Sequence, residues 1–404
     1  MRVLISGASI AGPVLAYWLT RRGFDVTVVE RADALRKAGG HAVDLFRPAM
    51  EISERMGVIE QVRARATGTT RMILHRTNGR PPVDVDYLKL VGVISDRHIE
   101  IMRDDLSRIY YDAGRDDVEY LFGDQITAIS DDGTVDFVRA GRRRYDVVVG
   151  ADGLHSGVRQ LVFGPDSGHS RFLGCYLAVL SIPKAFAREG ELTSFVDAGR
   201  WAMIYTADHL DDARAVFLFR SVQPLDYHHR DDARQRLLLR AAFDDLDPTV
   251  GRWLGELDRA ASFYFDSITQ LDRTSWSRGR VTLVGDAGYC PGPGVGGSTS
   301  LAVLGAYVLA GELERAGDDY ASAFAAYEAV MADPVRHSRA FARRVAKTLV
   351  PRSAFGVRAL VAAARILDAV PAGLTRTVAN LNDNGVRLYD AMGYPDYPVP
   401  GAIA

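Results

Sequence analysis

Two cysteines, Cys175 and Cys290, are all that a chain of 404 residues contains. That excludes a disulfide framework, and neither stands near a second Cys or a His at metal-ligand spacing. Both read as buried thiols of a reducing compartment, and a cytoplasmic location is expected. An excess of one charge is lacking too: 49 basic groups face 51 acidic ones, a net charge of −2. Nothing there gathers phosphate backbones, so nucleic acid is not an expected partner. No apolar run reaches the ~18 residues of a membrane span, so no membrane is expected either. The stretch up to Leu19 imitates a signal peptide. Gly7, Gly12 and the run Arg21-Arg22-Gly23 suit a strand, a turn and a helix better, and export is not expected. Lysine occurs only at Lys37, Lys89, Lys184 and Lys347. Also missing are H-E-x-x-H, a Ser-His-Asp order and paired carboxylates in a telling context, which leaves no metal site and no acyl-transfer triad to propose.

What is present is a long chain, 48% hydrophobic, enough for two cores. Residues 2–6 predict a buried strand, 13–22 a helix closed by Gly23, and 25–30 (D-V-T-V-V-E) a second strand. Such a β-α-β unit implies parallel strands with a right-handed crossover. Helical spacing recurs over 48–56 and 99–113, and residues 71–92 read as strands with a turn at Asn78-Gly79. The runs D-V-V-V at 146–149 and R-V-T-L-V-G at 280–285 have almost no polar face, as central parallel strands require. Between them, 176–182, 201–206 and 215–220 are β-rich and 231–243 is helical, which predicts a second domain. A helix is expected over 298–315, and 320–388 reads as mostly helical.

Three motifs carry chemistry. The first, Gly7-Ala8-Ser9-Ile10-Ala11-Gly12, lies between strand and helix, where a dinucleotide fingerprint belongs. Gly7 permits the tight turn, and Gly12 lets helix and strand approach. The helix N-terminus, with Ile10 and Ala11, offers free N–H groups to a pyrophosphate. Ser9 replaces the usual middle glycine, with its hydroxyl near the phosphate. Glu30, eighteen residues after Gly12 and followed by Arg31, is placed for ribose hydroxyls, which suits FAD or NAD over NADP. The second motif is Asp152-Gly153-Leu154-His155-Ser156-Gly157-Val158-Arg159. Arg159 offers a bidentate cation to a phosphate, or pairs within its loop with Asp152. The third runs over 285–298 as G-D-A-G-Y-C-P-G-P-G-V-G-G-S. Its glycines permit a close backbone approach, and a helix capped by Ser298 or Thr299 follows.

D-G-x-x-S-x-V-R and G-D-A-x-x-x-x-x-P-x-x-G together resemble the class A flavoprotein monooxygenases, the p-hydroxybenzoate hydroxylase-like family. The tetracycline-modifying and antibiotic-tailoring members look nearest. The resemblance covers most of residues 1–340. It implies that Asp286 binds the ribityl chain of FAD and that Pro293, Gly296, Gly297 and Ser298 lie against the flavin ring. Asp152 and Arg159 would lie by the pyrophosphate and serve the nicotinamide cofactor, and Arg103, in R-x-x-L, would touch the ribityl or pyrophosphate region. Tyr289 stands where the family has His. The fold class implied is α/β. A discontinuous Rossmann-type FAD-binding domain (1–72, 95–165, 270–345) joins a β-sheet substrate domain (73–94, 166–269) and a helical C-terminal segment (346–404). The activity implied is NAD(P)H-consuming monooxygenation, by NADH or NADPH, of an aromatic or polycyclic molecule through a flavin hydroperoxide. Partners would then be a small-molecule substrate and dioxygen.

Candidates around the chemistry remain open at this level. Tyr289 and His41 are proton handlers or packed side chains; Arg47 lines the flavin or is solvated. Tyr205, Arg220 and Pro291 contact substrate or merely pack. The segment 353–374 caps the cleft, clamps the two domains, anchors to a membrane surface or packs on the body of the protein; with only Arg358, Arg365 and Asp368 charged, packing is expected. Three other functions fit the same motifs: a halogenase, whose W-x-W-x-I-P is absent; a flavoprotein reductase or oxidase; and a non-redox FAD-bound biosynthetic protein.

Overall fold

The computed structural model describes residues 1–35, 40–77, 80–92, 97–166, 168–294, 297–369, 389 and 392–398. Its first layer is a six-stranded sheet, in the order Ser277–Arg278, Val281–Leu283, Val147–Gly150, Arg2–Ser6, Asp25–Glu30 and Glu119–Phe122. All pairs are parallel except the short Ser277–Arg278 edge. The central strand Val147–Gly150 is buried at every residue, which explains its unbroken apolar run. The first helix, Ala11–Thr20, follows Arg2–Ser6, as the β-α-β pattern requires.

The second sheet has seven strands, in the order Phe263–Leu271, Ser170–Pro183, Asp212–Arg220, Arg200–Tyr205, Glu191–Asp197, Arg71–Arg76 and Val83–Asp86. It is antiparallel except where Glu191–Asp197 meets Arg71–Arg76. Along Ser170–Pro183 successive side chains enter different cores. Tyr176, Ala178 and Leu180 pack with Leu239, Phe243 and Trp253 from the helices Asp232–Phe243 and Pro248–Gly255. Cys175, Leu177 and Val179 pack on the other face with Val350, Val357 and Val361. Both faces are covered, so polarity does not alternate along the strand. Arg71–Arg76 and Phe263–Leu271 run across the domain boundaries expected at 72/73 and 269/270.

Two local expectations are corrected. Residues 99–102 belong to the strand His98–Met102, paired antiparallel with Ala42–Phe46, and the helix begins only at Arg103. Ile99 and Ile101 are buried while His98 and Glu100 are less so, a period of two that the following R-D-D-L helix start obscured. Residues 71–92 end in a helical turn, Tyr87–Gly92, where only strands were expected. The helices Tyr320–Thr348 and Ala354–Ala369 form the helical C-terminal region; the expected continuation over 370–388 lies outside the described residues, as does the Asn78-Gly79 turn.

The helix Ser298–Ala316 is the core of the first half, with fourteen buried residues from Ser300 to Leu313. It packs on the first helix, on Arg47–Arg55 and on Tyr320–Thr348. Its glycines are notches for tyrosines. A Cβ on Gly305 would lie 1.9 Å from Tyr289 Oη, and one on Gly311 would lie 2.2 Å from the Tyr397 ring. Gly305→Ala is therefore expected to cost about 1–3 kcal/mol by overpacking. In a Tyr289→Phe background the oxygen is gone, and the same change is expected to cost at least ~1 kcal/mol less. Denaturant unfolding of the four proteins of this cycle checks it; strictly additive costs would contradict the notch.

Candidate functional site

The first turn sits at the end of strand Arg2–Ser6. Gly7 has φ +109°, and a Cβ there would meet the Ala151 carbonyl at 2.6 Å. A Cβ on Gly12 would lie 1.9 Å from the Gly7 carbonyl, so neither position accepts a side chain. Ile10 and Ala11 begin the first helix, and no side chain caps it, which leaves its first N–H groups for a ligand. Ser9 Oγ accepts from Arg103 Nη2 at 3.2 Å. Glu30 accepts from Ala8 N at 3.0 Å through Oε2 and from Ala32 N at 2.9 Å through Oε1. This carboxylate holds the turn in place and still has lone pairs for ribose hydroxyls. Arg31 is exposed beside it.

The Gly-rich segment after Val281–Leu283 faces the same space. Asp286 opens the short helix Asp286–Tyr289, and its Oδ1 is buried with no hydrogen-bond partner. Burial pushes this carboxyl above the usual range, and the Arg103 guanidinium opposes that rise. The same guanidinium and Asp286 act on the half-buried Tyr264 phenol. His41 completes the group: its ring centre is 6.0 Å from that of Tyr264, and burial, then Arg103, lowers its pKa to about 4. At neutral pH His41 is an uncharged imidazole, which does not suit a proton donor. Arg103, Asp286, Tyr264 and His41 thus converge, and the sequence reading named all of these except Tyr264. An orphaned buried carboxylate oxygen beside glycines fits a polyol chain, because hydroxyl donors satisfy it without a second charge.

Beyond Asp286 the backbone turns through Pro291 and Pro293, both buried, and reaches Gly297 in the left-handed region at φ +59°. The Pro291 carbonyl accepts from the fully buried Gln270 at 2.9 Å. Gly297 is the cap of the core helix; Ser298 and Thr299 lie inside its first turn and neither caps it, which corrects the expected cap. Gly296 lies outside the described residues.

Several expected roles are corrected. Arg159 has no exposed side-chain surface. Its nitrogens meet Asp166 at 2.6 and 2.7 Å, the Ala287 carbonyl at 2.7 Å and the Leu154 carbonyl at 2.5 Å. A guanidinium so enclosed has nothing left for a phosphate; it ties the second motif to the third. Asp152 likewise serves its own loop, accepting from Ser156 Oγ and from the N–H groups of Gly157 and Val158 at the start of helix Gly157–Phe163. Arg220 donates to the carbonyls of Val350, Ala346 and Lys347, so it closes the end of helix Tyr320–Thr348 and does not face a substrate. Arg47 is already engaged within the protein: Nη2 donates to the Met392 carbonyl at 2.6 Å and Nη1 to Glu51 at 3.2 Å. Tyr289 is wholly buried and hydrogen-bonded to Tyr327 at 3.0 Å, and burial pushes its phenol up to about 12, so it packs and handles no proton. Tyr205 Oη accepts from Ala42 N at 2.7 Å and so joins the second sheet to the strand leading into the site.

A parallel sheet carrying a glycine turn, an uncapped helix start and an orphaned carboxylate defines a dinucleotide-type cofactor protein. The comparisons agree. The FAD binding domain family model matches residues 1–316. An uncharacterized protein of Mycobacterium tuberculosis is 40% identical over 333 residues, 81% of this chain and 88% of that one. A flavin-dependent monooxygenase of Legionella longbeachae is 34% identical over 342 residues, 82% of this chain and 85% of its own. The crystal structure of tetracycline destructase Tet(51) superposes with a TM-score of 0.82 at 30% identity, covering 98% of this chain and 99% of that one. The chain belongs to the class A FAD-dependent monooxygenase family. FAD is its cofactor, and among the described residues no helix is long and apolar enough to cross a membrane.

Asp286→Ala is expected to weaken FAD binding by about 1.5–3 kcal/mol, the worth of a charged hydrogen bond. Hydroxyl donors favour the ionised carboxylate, so binding lowers a pKa that burial had raised. Affinity is then full above the free protein's Asp286 pKa and is lost progressively as pH falls from there through the lower pKa of the complex. Flavin fluorescence titrations of parent and variant across acidic pH check both points. Equal affinity in the two proteins would remove Asp286 from the site.

Proposed function

We propose that this protein takes electrons from NADH or NADPH and inserts one atom of dioxygen into an aromatic or polycyclic small molecule. The observation that carries the reading is the buried, unpartnered Asp286 Oδ1 within reach of the Arg103 charge, at the foot of the Gly-rich loop. Bound FAD supplies the electron transfer and the activation of dioxygen. The chain supplies binding, orientation and exclusion of water. Gly7, Ser9, Ile10, Ala11 and Gly12 take the pyrophosphate, and Glu30 with Arg31 takes the adenosine end. Arg103 and Asp286 hold the ribityl chain, and Pro293, Gly297 and Ser298 lie along the ring. Asp152 and Arg159 belong to this set as the residues that fix its loops. Tyr205 and Pro291 bound the substrate side, together with His41 and Tyr264, which present rings and no net charge at neutral pH. Such walls suit a flat, electron-rich substrate.

The FAD-binding unit is assigned to the segments around the first sheet and the substrate-facing unit to the seven-stranded sheet, whose strands Arg71–Arg76 and Phe263–Leu271 carry it past the limits expected at 72/73 and 269/270, within a cytoplasmic protein. The likeness to a tetracycline destructase favours a polycyclic phenol-like substrate over a small monocyclic acid. Turnover under isotope-labelled dioxygen with NADPH and a panel of polycyclic phenols tests the reading. One labelled oxygen atom in the product is expected. Consumption of NADPH with product free of label, under every panel compound turned over, would replace it with an oxidase or reductase.

A further inference from the structure

The last described residues, Tyr389 and 392–398, lie across the first half of the molecule. Tyr397 fills the notch at Gly311, donates to Glu312 at 2.5 Å through its hydroxyl and to Tyr307 Oη at 3.0 Å through its backbone N–H. Arg22 donates to the Tyr397 carbonyl at 3.2 Å, and Arg47 to the Met392 carbonyl at 2.6 Å. These contacts fasten the segment along the core helix from its last turns back toward its start.

At that start stands Tyr389. Its ring stacks on Phe46 with centres 4.7 Å apart and planes 13° apart, and its hydroxyl lies 2.8 Å from Ser338 Oγ. A Cβ placed on Gly297 would come within 2.5 Å of the Tyr389 ring. The ring is therefore the wall against which the left-handed Gly297 turn rests. Phe46 is tied to the same turn, because its N–H donates to Ser300 Oγ at 3.0 Å. No side chain caps this helix, so its first turn is placed by packing against Tyr389 and by the hydrogen bonds of Ser300 to the Phe46 N–H and the Asp44 carbonyl.

We propose that Tyr389 is a positioning residue of the flavin site, one that sets the first turn of helix Ser298–Ala316 against the flavin and so helps to set the flavin's reduction potential. The inference rests on the reading that this helix start faces the ring. The positive end of a helix dipole stabilises the negative charge of reduced flavin, and its effect falls off within one turn. A small retreat of the turn weakens reduced flavin more than oxidised flavin.

The test uses the full chain with FAD bound and follows the two-electron midpoint potential alongside thermal unfolding. Tyr389→Ala is expected to reduce the preference for reduced over oxidised FAD about tenfold, which is about 30 mV toward more negative potential. Tyr389→Phe, which keeps the ring on Phe46 and Gly297, is expected to hold the parental potential. Tyr397→Phe, at the far end of the segment, is expected to lower thermal stability without moving the potential. Tyr389→Ala that loses stability while keeping the parental potential would overturn the proposal and leave a purely structural contact. Should Tyr389→Ala not fold, Tyr389→Leu keeps much of the volume and is judged by the same two outcomes. A parent protein that binds no FAD would instead overturn the flavin reading itself.

Discussion

The close packing of helix Ser298–Ala316 constrains everything around it. Its glycines admit Tyr289 and Tyr397 closer than any side chain would allow, and Gly297 before it admits Tyr389. The rings come from two distant parts of the chain: Tyr289 from the Gly-rich loop, and Tyr397 with Tyr389, which stacks on Phe46, from the C-terminal segment. The helix is thus located by contacts on several sides, and its first turn inherits that location. Packing at interior density is felt to within one methylene, so an alanine at a notch is not a small change. The parallel sheet places the first glycine turn, and the packed helix places the second. The space between them is where we propose that the cofactor lies.

Electrostatics within that space follow from burial. Asp286 is enclosed with one oxygen unpartnered, and Arg103 is the cation that offsets its charge. Arg103 also holds Ser9 and lowers His41, so one guanidinium links the first glycine turn, the Asp286 carboxylate and the neutral imidazole. A buried carboxylate with an orphaned oxygen is costly until a donor arrives, and this gives flavin binding a local driving force. The other arginines near the motifs are already committed. Arg159 welds the second motif to the third, and Arg220 welds the second sheet to the C-terminal helices.

Much of this was legible in the sequence. The β-α-β unit, its two essential glycines and Glu30 could be read because their meaning is local: φ angles, helix starts and strand ends depend on near neighbours. Asp286 was singled out only through the family resemblance of its loop; that its Oδ1 is buried without a partner is a tertiary fact the sequence does not carry. The arginines were misread for the same reason. Whether Arg159 meets a phosphate or Asp166 and the Ala287 carbonyl is decided by tertiary neighbours, one of them 128 residues away. The strand His98–Met102 was hidden by an adjoining helix whose apolar spacing overlapped it. Tyr264 and Tyr389 carry no motif at all. Their roles come from what they touch, and the partners of Tyr389 at Phe46, Gly297 and Ser338 are scattered through the chain. An antiparallel sheet buried on both faces likewise lacks the alternation by which strands are recognised, which is why only fragments of Ser170–Pro183 were anticipated.

The most direct test of the central claim is a crystal structure of the full chain grown with FAD. The account predicts the pyrophosphate over the Gly7 to Gly12 turn, a ribityl hydroxyl on Asp286 Oδ1, and the flavin ring along the start of helix Ser298–Ala316. Flavin bound elsewhere, or an Asp286 side chain turned into the protein with its Oδ1 paired there, would contradict it.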